Sequence, residues 1–191
     1  MKIAVLAGGL STERNISFIT GSNVCRALRE RGHQAAIADL YLGFENVDTA
    51  PKAAFDAPDG LLNTITVTRE EPDLAAVRAS RKDQSGSVFG PGILEFCGAA
   101  DVVFLALHGQ CGEDGRIQAA FDLLGIPYTG AGYVSSAMAM DKAITKAMMA
   151  SAGILTPKWQ EFRYTREDIP ALCAQLETVT KEQVAQAAQK L

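Results

Sequence analysis

Residues 102 to 115 read VVFLALHGQCGEDG, and the change of character halfway along decides the fold. Val102 to Leu107 are apolar without a break, the pattern of a strand covered on both faces. A polar, glycine-rich run comes next, with His108, Gly109, Gly112, Glu113, Asp114 and Gly115 in eight positions. Ile117, Ala120, Phe121 and Leu124 then recur at helical spacing. A buried strand therefore hands over to a helix across one imidazole and two carboxylates. In an open α/β sheet the carboxyl ends of the strands are where ligands bind, which makes this junction the first candidate site.

The chain start repeats the arrangement. Ile3 to Ala7 form a buried strand, and Gly8-Gly9-Leu10-Ser11 form a tight turn whose Ser11 can cap the next helix, which runs to about Arg31. Ile16, Ile19, Val24, Ala27 and Leu28 are expected on its buried face, and Gly32 stops it. Gln34 to Leu40 is the next strand, which completes a β-α-β unit. Between Tyr41 and Gly92 the signals are mixed: turns at Pro51, Pro58, Asp59-Gly60 and Pro72, a strand over Leu61 to Val67, and a mobile surface loop from Ala79 to Gly92. Ile93 to Cys97 form a short helix before the Val102 strand. Beyond Gly125 to Gly130, one helix is expected from about Tyr133 to Ser151 with Ala137, Met140, Ile144 and Met148 inward and Lys142 and Lys146 on another face. Asp168 caps a further helix with Pro170 in its first turn, and Thr180 with Gln183 forms a capping-box pattern for a last one.

Composition narrows the function classes. The chain has 191 residues, 48% apolar and 21% charged, enough to bury roughly 70% of its unfolded surface. A net charge of −4 argues against broad binding to a phosphate backbone, which needs clustered Lys and Arg. Cys25, Cys97, Cys111 and Cys173 lack C-x-x-C spacing, so neither a zinc site nor a disulfide framework is indicated. No apolar run approaches a membrane span or a signal h-region; nucleic acid and membrane are not expected partners, and a cytoplasmic location is.

The candidate residues each carry two readings. Gly8-Gly9 with Ser11 and Thr12 could cradle an anion on free N–H groups at a helix start, or be a plain tight turn; it matches neither G-x-G-x-x-G nor the P-loop, which disfavours a dinucleotide oxidoreductase. Glu13 in the first turn either complements the helix dipole, worth roughly 0.3 to 1 kcal/mol, or receives a substrate ammonium, worth roughly 4 kcal/mol at 4 Å and an effective dielectric near 20 before desolvation. His108 is either a hydrogen-bonded histidine beneath a loop or, with Glu113 and Asp114 favouring its protonated form, the holder of a substrate carboxylate. Asp114 also suits helix-start capping. Cys111 has carboxylates as near neighbours, which oppose thiolate formation, so it reads as structural.

Together these residues resemble the D-alanine-D-alanine ligases of the ATP-grasp superfamily. The resemblance spans Lys2 to about Trp159 and is carried by GGLSTERNIS at 8 to 17, HGQCGEDGRIQA at 108 to 119, YTG at 128 to 130, MDK at 140 to 142 and TPKW at 156 to 159. It implies an α/β fold with a Rossmann-like (pre-ATP-grasp) parallel-sheet domain over 1 to 132, then the start of an ATP-grasp nucleotide domain over 133 to 191. The implied reaction phosphorylates one D-alanine with ATP to an acyl phosphate, which a second D-alanine attacks, giving a dipeptide for peptidoglycan precursors. By matching position Glu13 would be catalytic and bind the first ammonium. Gly8, Gly9, His108 and Glu113 would line the same substrate, and Lys142 would reach the nucleotide phosphates. Asn15 departs from the acid frequent at its position. ATP and Mg²⁺ are the implied cofactors, with the metal ligands expected outside these residues, and a homodimer is the implied assembly. Members are longer than this chain, so residues 1 to 191 are not expected to make the dipeptide alone. A ligase taking D-lactate or D-serine second, and a non-catalytic small-ligand module, are the alternatives.

Overall fold

The computed structural model describes residues 1–56, 70–159, 161 and 164–177; the expected strand over Leu61 to Val67 and the helix after Thr180 lie outside them. Three parallel strands, β1 (Lys2–Ala7), β2 (Gln34–Asp39) and β3 (Val102–Leu105), form a sheet in the order β2-β1-β3. Ile3 pairs with Ala35 on one side and with Val102 on the other, and the register continues from there. β1 lies in the middle and is buried along its whole length after Lys2, which explains why it shows no polar alternation. Alternate residues feed two cores. Ala4, Leu6, Ala36, Ala38 and Val103 face one; Ile3, Val5, Ala7, Ala35 and Ile37 face the other.

Helices cover both faces. The second core is closed by α1 (Arg14–Glu30), which contributes Phe18 and Cys25. The first is closed by α4 (Ile93–Gly98) and α5 (Arg116–Leu124), which contribute Ile93, Phe96, Ile117 and Phe121. Full burial of side chains this size stabilises the fold by about 1.5 to 3 kcal/mol each. Two short helices, α2 (Ala50–Ala53) and α3 (Leu74–Ser80), occupy the irregular stretch between β2 and β3.

The buried face of α1 is only in part the expected one: Leu28 packs against the second core and Val24 is half-buried. Arg14, Ser17, Phe18, Gly21, Ser22 and Cys25 point inward, while Ile16 and Ile19 are 52% and 40% exposed and Ala27 is exposed as well. The reason is close approach. A Cβ on Gly21 would meet Ile37 Cδ1 at 2.9 Å and the Ala7 Cβ at 3.0 Å, so the helix backbone lies almost on the sheet and its small residues, not its isoleucines, must face it. In α5 likewise Ile117 and Phe121 are buried but Leu124 is exposed.

β3 is covered on both faces only at Val103; Val102, Phe104 and Leu105 are half-buried. Its outer side has a single bridge to Tyr128, with Val103 donating to Pro127 O and Thr129 donating to Val103 O. Between Ala79 and Gly92 residues 82 to 88 lie exposed on the surface, as expected, but Arg81 anchors the stretch. The Arg81 guanidinium is buried, donates to Ser87 O, Phe89 O and Ser85 Oγ, pairs with Asp83, and lies 4.7 Å over the Tyr41 ring.

The described chain separates into two compact units, Met1–Met140 and Asp141–Leu191. The helix expected over Tyr133 to Ser151 is broken at this point into α6 (Tyr133–Met140) and α7 (Lys142–Ser151). Asp141 leaves the helical conformation and accepts hydrogen bonds from Ala143 and Ile144 N–H, both at 3.0 Å. A carboxylate that caps a new helix in this way ends the old one. Neither helix buries a residue, and Ala137, Met140, Ile144 and Met148 are not enclosed, contrary to the expected inward face. Within the second unit Lys146 Nζ donates to Thr156 Oγ1 and Pro157 O, fastening the extended residues 154 to 159 to α7. Asp168 precedes α8 (Ile169–Glu177) and accepts from Thr165. Among the described residues no helix is long and apolar enough to cross a membrane.

Candidate functional site

The Gly8-Gly9 turn leaves β1 at its carboxyl end, and its amides are already occupied. Gly8 N–H donates to Ser17 Oγ at 2.8 Å and Gly9 N–H to Asp39 Oδ1 at 3.2 Å. These two groups are therefore not the free donors of an anion cradle. Gly8 has φ +74°, and a Cβ there would meet Phe18 Cζ at 2.6 Å, so only glycine fits. Arg14 donates to Gly9 O and forms a 2.7 Å ion pair with Asp39, both side chains being less than a tenth exposed. Asp39, at the end of β2, also accepts from Tyr41 and Leu42 N–H. The buried guanidinium is thus matched by a carboxylate whose remaining lone pairs are satisfied, the condition under which a buried pair is tolerated.

Ser17 joins the two halves of the site. Its hydroxyl accepts from Gly8 N–H and donates to Ala106 O, each at 2.8 Å. One side chain on α1 therefore sets the end of β1 against the segment just after β3.

From that segment the 108 to 115 loop rises. Gly109 N–H donates to Glu113 Oε2 at 2.8 Å, Cys111 N–H to Asp114 Oδ2 at 2.9 Å and Arg116 N–H to Asp114 Oδ1 at 3.2 Å. Gln118 Nε2 donates to Gly112 O. Asp114 thus takes the helix-start role, and Glu113 folds back on the loop. His108 Nδ1 stands 3.9 Å from Glu113 Oε1, at the outer limit of an ion pair and only when the ring is protonated, and its Nε2 lies 3.1 Å from Thr20 Oγ1 on α1.

The two motifs meet at Gly109. A Cβ placed there would lie 2.6 Å from Ser11 Oγ and 3.0 Å from Glu13 Oε2. Glu13, Ser11, His108, Glu113 and Thr20 therefore share one rim at the carboxyl ends of β1 and β3. Glu13 sits at the N-cap of α1 but makes no side-chain cap hydrogen bond, and Ser11 Oγ instead accepts from Glu13 N–H. The Glu13 carboxylate is directed at the loop rather than spent on its own helix. Lys142 belongs to the other unit, exposed on the first turn of α7.

Among the described residues no group of three or more His, Cys, Asp or Glu side chains converges as a metal site. All four cysteines are unpaired with one another. Burial raises the Cys25 thiol and pushes that of Cys97 up to about 12, which fits packing roles. Sequence reasoning missed Arg14, Ser17, Thr20 and Asp39. The first two lie inside the 8 to 17 motif, and the signal for Asp39 was a lone carboxylate ending an otherwise apolar strand.

A parallel sheet with helices on both faces and a polar rim at its carboxyl ends defines an α/β domain of the open-sheet type. The family described as the D-ala D-ala ligase N-terminus is matched over residues 2–131, and the chain belongs to that family. It is 41% identical over 167 residues to a D-alanine-D-alanine ligase of Lacticaseibacillus casei (strain BL23), covering 85% of this chain and 45% of the relative. A Pediococcus pentosaceus D-alanine-D-alanine ligase is 43% identical over 164 residues, covering 83% and 45%. The chain thus spans less than half the length of these relatives. Among solved structures, the D-alanine-D-alanine ligase from Coxiella burnetii superposes with a TM-score of 0.54 at 26% identity, covering 93% of this chain and 50% of that one. The Bacillus anthracis ligase complexed with ATP gives 0.53 at 24% identity over 88% and 44%, a likeness of fold.

Proposed function

We propose that this chain supplies the D-alanine-binding rim of an ATP-dependent ligase that joins two D-alanines. In the reaction the carboxylate of the first D-alanine takes the terminal phosphoryl group of ATP, releasing ADP. The amine of the second then attacks the acyl carbon, and phosphate leaves as the peptide bond forms. Glu13 receives the ammonium of the first D-alanine. His108, across Gly109, faces its carboxylate, and Glu113 holds the loop that carries His108. Lys142 is assigned to the nucleotide phosphates. The described residues offer no cluster fitted to Mg²⁺. Such a reaction draws on cytoplasmic ATP. The implied homodimer belongs to the same reading, with the exposed Ile16 and Ile19 on α1 as apolar surface for it and sedimentation equilibrium as its check.

The observation that carries this reading is the approach of Glu13 Oε2 to Gly109, which brings two motifs nearly a hundred residues apart into one site. Calorimetric titration with D-alanine tests it. Glu13→Gln keeps the shape and removes the charge, so affinity should fall roughly tenfold or more. Equal affinity in the two proteins would refute the assignment of the ammonium to Glu13.

A further inference from the structure

His108 is the one imidazole on the rim, and both of its ring nitrogens face a protein group. Nδ1 looks toward Glu113 Oε1 at 3.9 Å, and Nε2 lies 3.1 Å from Thr20 Oγ1. An ionised carboxylate can only accept, whereas a hydroxyl can donate or accept. A neutral imidazole has one donor and one acceptor, and its partners decide which nitrogen carries the hydrogen. The arrangement that satisfies all three groups has the hydrogen on Nδ1, toward Glu113, with Thr20 donating into Nε2. Since 3.9 Å is longer than a hydrogen bond, Glu113 biases the ring without holding it, and the lock is the donation from Thr20.

We propose that Thr20 is the positioning residue of His108, fixing the neutral ring as its Nδ1–H tautomer. Thr20 is well placed for this. It lies three residues after Ser17 on α1, so the helix face that clamps Gly8 to Ala106 also reaches the ring. The usual alternative for a helical threonine hydroxyl is the carbonyl four residues earlier, which would leave Nε2 without its donor. The consequence lies at the ligand. Nδ1 lies toward Glu113, whose Oε2 holds Gly109 N–H, and Gly109 adjoins Glu13, so the ring and Glu13 border the same stretch of the rim. This part rests on the reading that the rim takes an α-amino acid. A ligand with its ammonium at Glu13 then finds a donor for its carboxylate without the ring having to be protonated.

Nitrogen-15 spectroscopy of the imidazole side chains, at alkaline pH where the rings are neutral, tests the assignment on the full chain. The chain has two histidines, His33 and His108, so His33→Gln leaves one set of signals. The expected pattern is a protonated, pyrrole-type Nδ1 and a pyridine-type Nε2. Thr20→Val should lose that pattern and shift the ring toward Nε2–H; Thr20→Ser, which keeps the hydroxyl, should retain it. D-alanine affinity should fall about fivefold in Thr20→Val, the size of one neutral hydrogen bond, and recover in Thr20→Ser. An Nε2–H ring in the parent chain, or a pattern unmoved by Thr20→Val, overturns the proposal. Failure of the parent chain to bind D-alanine strikes the substrate reading instead, and the tautomer is still judged by its spectrum.

Discussion

At the carboxyl end of β1 the polar groups are tied mainly by residues far away in sequence, whereas in the loop after β3 all but His108, which reaches Thr20, are tied by near neighbours. Gly8, Gly9 and Arg14 have partners 9, 30 and 25 positions off, Arg14 having a nearer second one in Gly9 O, and Ser17 reaches 89 positions to Ala106. In the loop the spans are 4, 3 and 6 positions, from Gly109 to Glu113, Cys111 to Asp114 and Gln118 to Gly112. The first end is buried and exists only once the whole sheet is assembled. The second is partly exposed and closes largely on itself. A site made from both pairs a fixed wall carrying Glu13 with a smaller, locally organised arm carrying His108.

Substitutions should separate the two, and the largest effect is expected on the wall. Asp39→Ala removes the partner of a buried guanidinium and the acceptor of three backbone N–H groups. The expected loss is about 3 to 5 kcal/mol, read from urea unfolding; a loss under about 1 kcal/mol would mean that Arg14 is hydrated in solution and the wall is softer than its burial implies. Ser17→Ala comes next. It leaves Gly8 N–H and Ala106 O unpaired at a fully buried position, at a cost of about 2 kcal/mol. Because Ser17 spans both ends, D-alanine affinity should also fall in this variant, and unchanged affinity alongside lowered stability would uncouple wall from arm.

The same contrast explains what could be read in the sequence. β1, β2 and the start of β3 were legible because apolar runs bounded by glycine report burial directly, and the loop because its chemistry is contiguous. The inward face of α1 was only partly so. Hydrophobic spacing favoured Ile16 and Ile19, but the sheet selected Gly21, Ser17 and Ser22 for their size, and close approach depends on what the helix packs against. Arg81 looked like one charge in a polar loop, since nothing local shows that Tyr41 and the Ser87 and Phe89 carbonyls will surround it. Asp141 carried a usable signal, a capping residue inside a helical pattern, that the apolar periodicity across it concealed. The link from Thr20 to His108 spans 88 positions and has no sequence signature.

Smaller effects are expected on the arm. Asp114→Ala removes the acceptor for Cys111 and Arg116 N–H and should cost about 1 kcal/mol, as loss of a helix cap does; a loss as large as that of Asp39→Ala would erase the distinction between arm and wall. The smallest effect should have the opposite sign. Cys111 holds φ at +70°, a left-handed conformation that costs a residue with a Cβ roughly 1 to 2 kcal/mol. Glycine relieves that strain but loses about 0.5 to 1 kcal/mol through its freer unfolded chain, along with the contact of a half-buried side chain with the core. Cys111→Gly should therefore raise stability by about 0.5 kcal/mol, or about 1 to 2 °C in Tm. Cys111→Ala, which keeps the Cβ and the strain, should show no gain. A Gly variant less stable than the Ala variant would mean that packing of the side chain, rather than the conformation of the backbone, governs this turn.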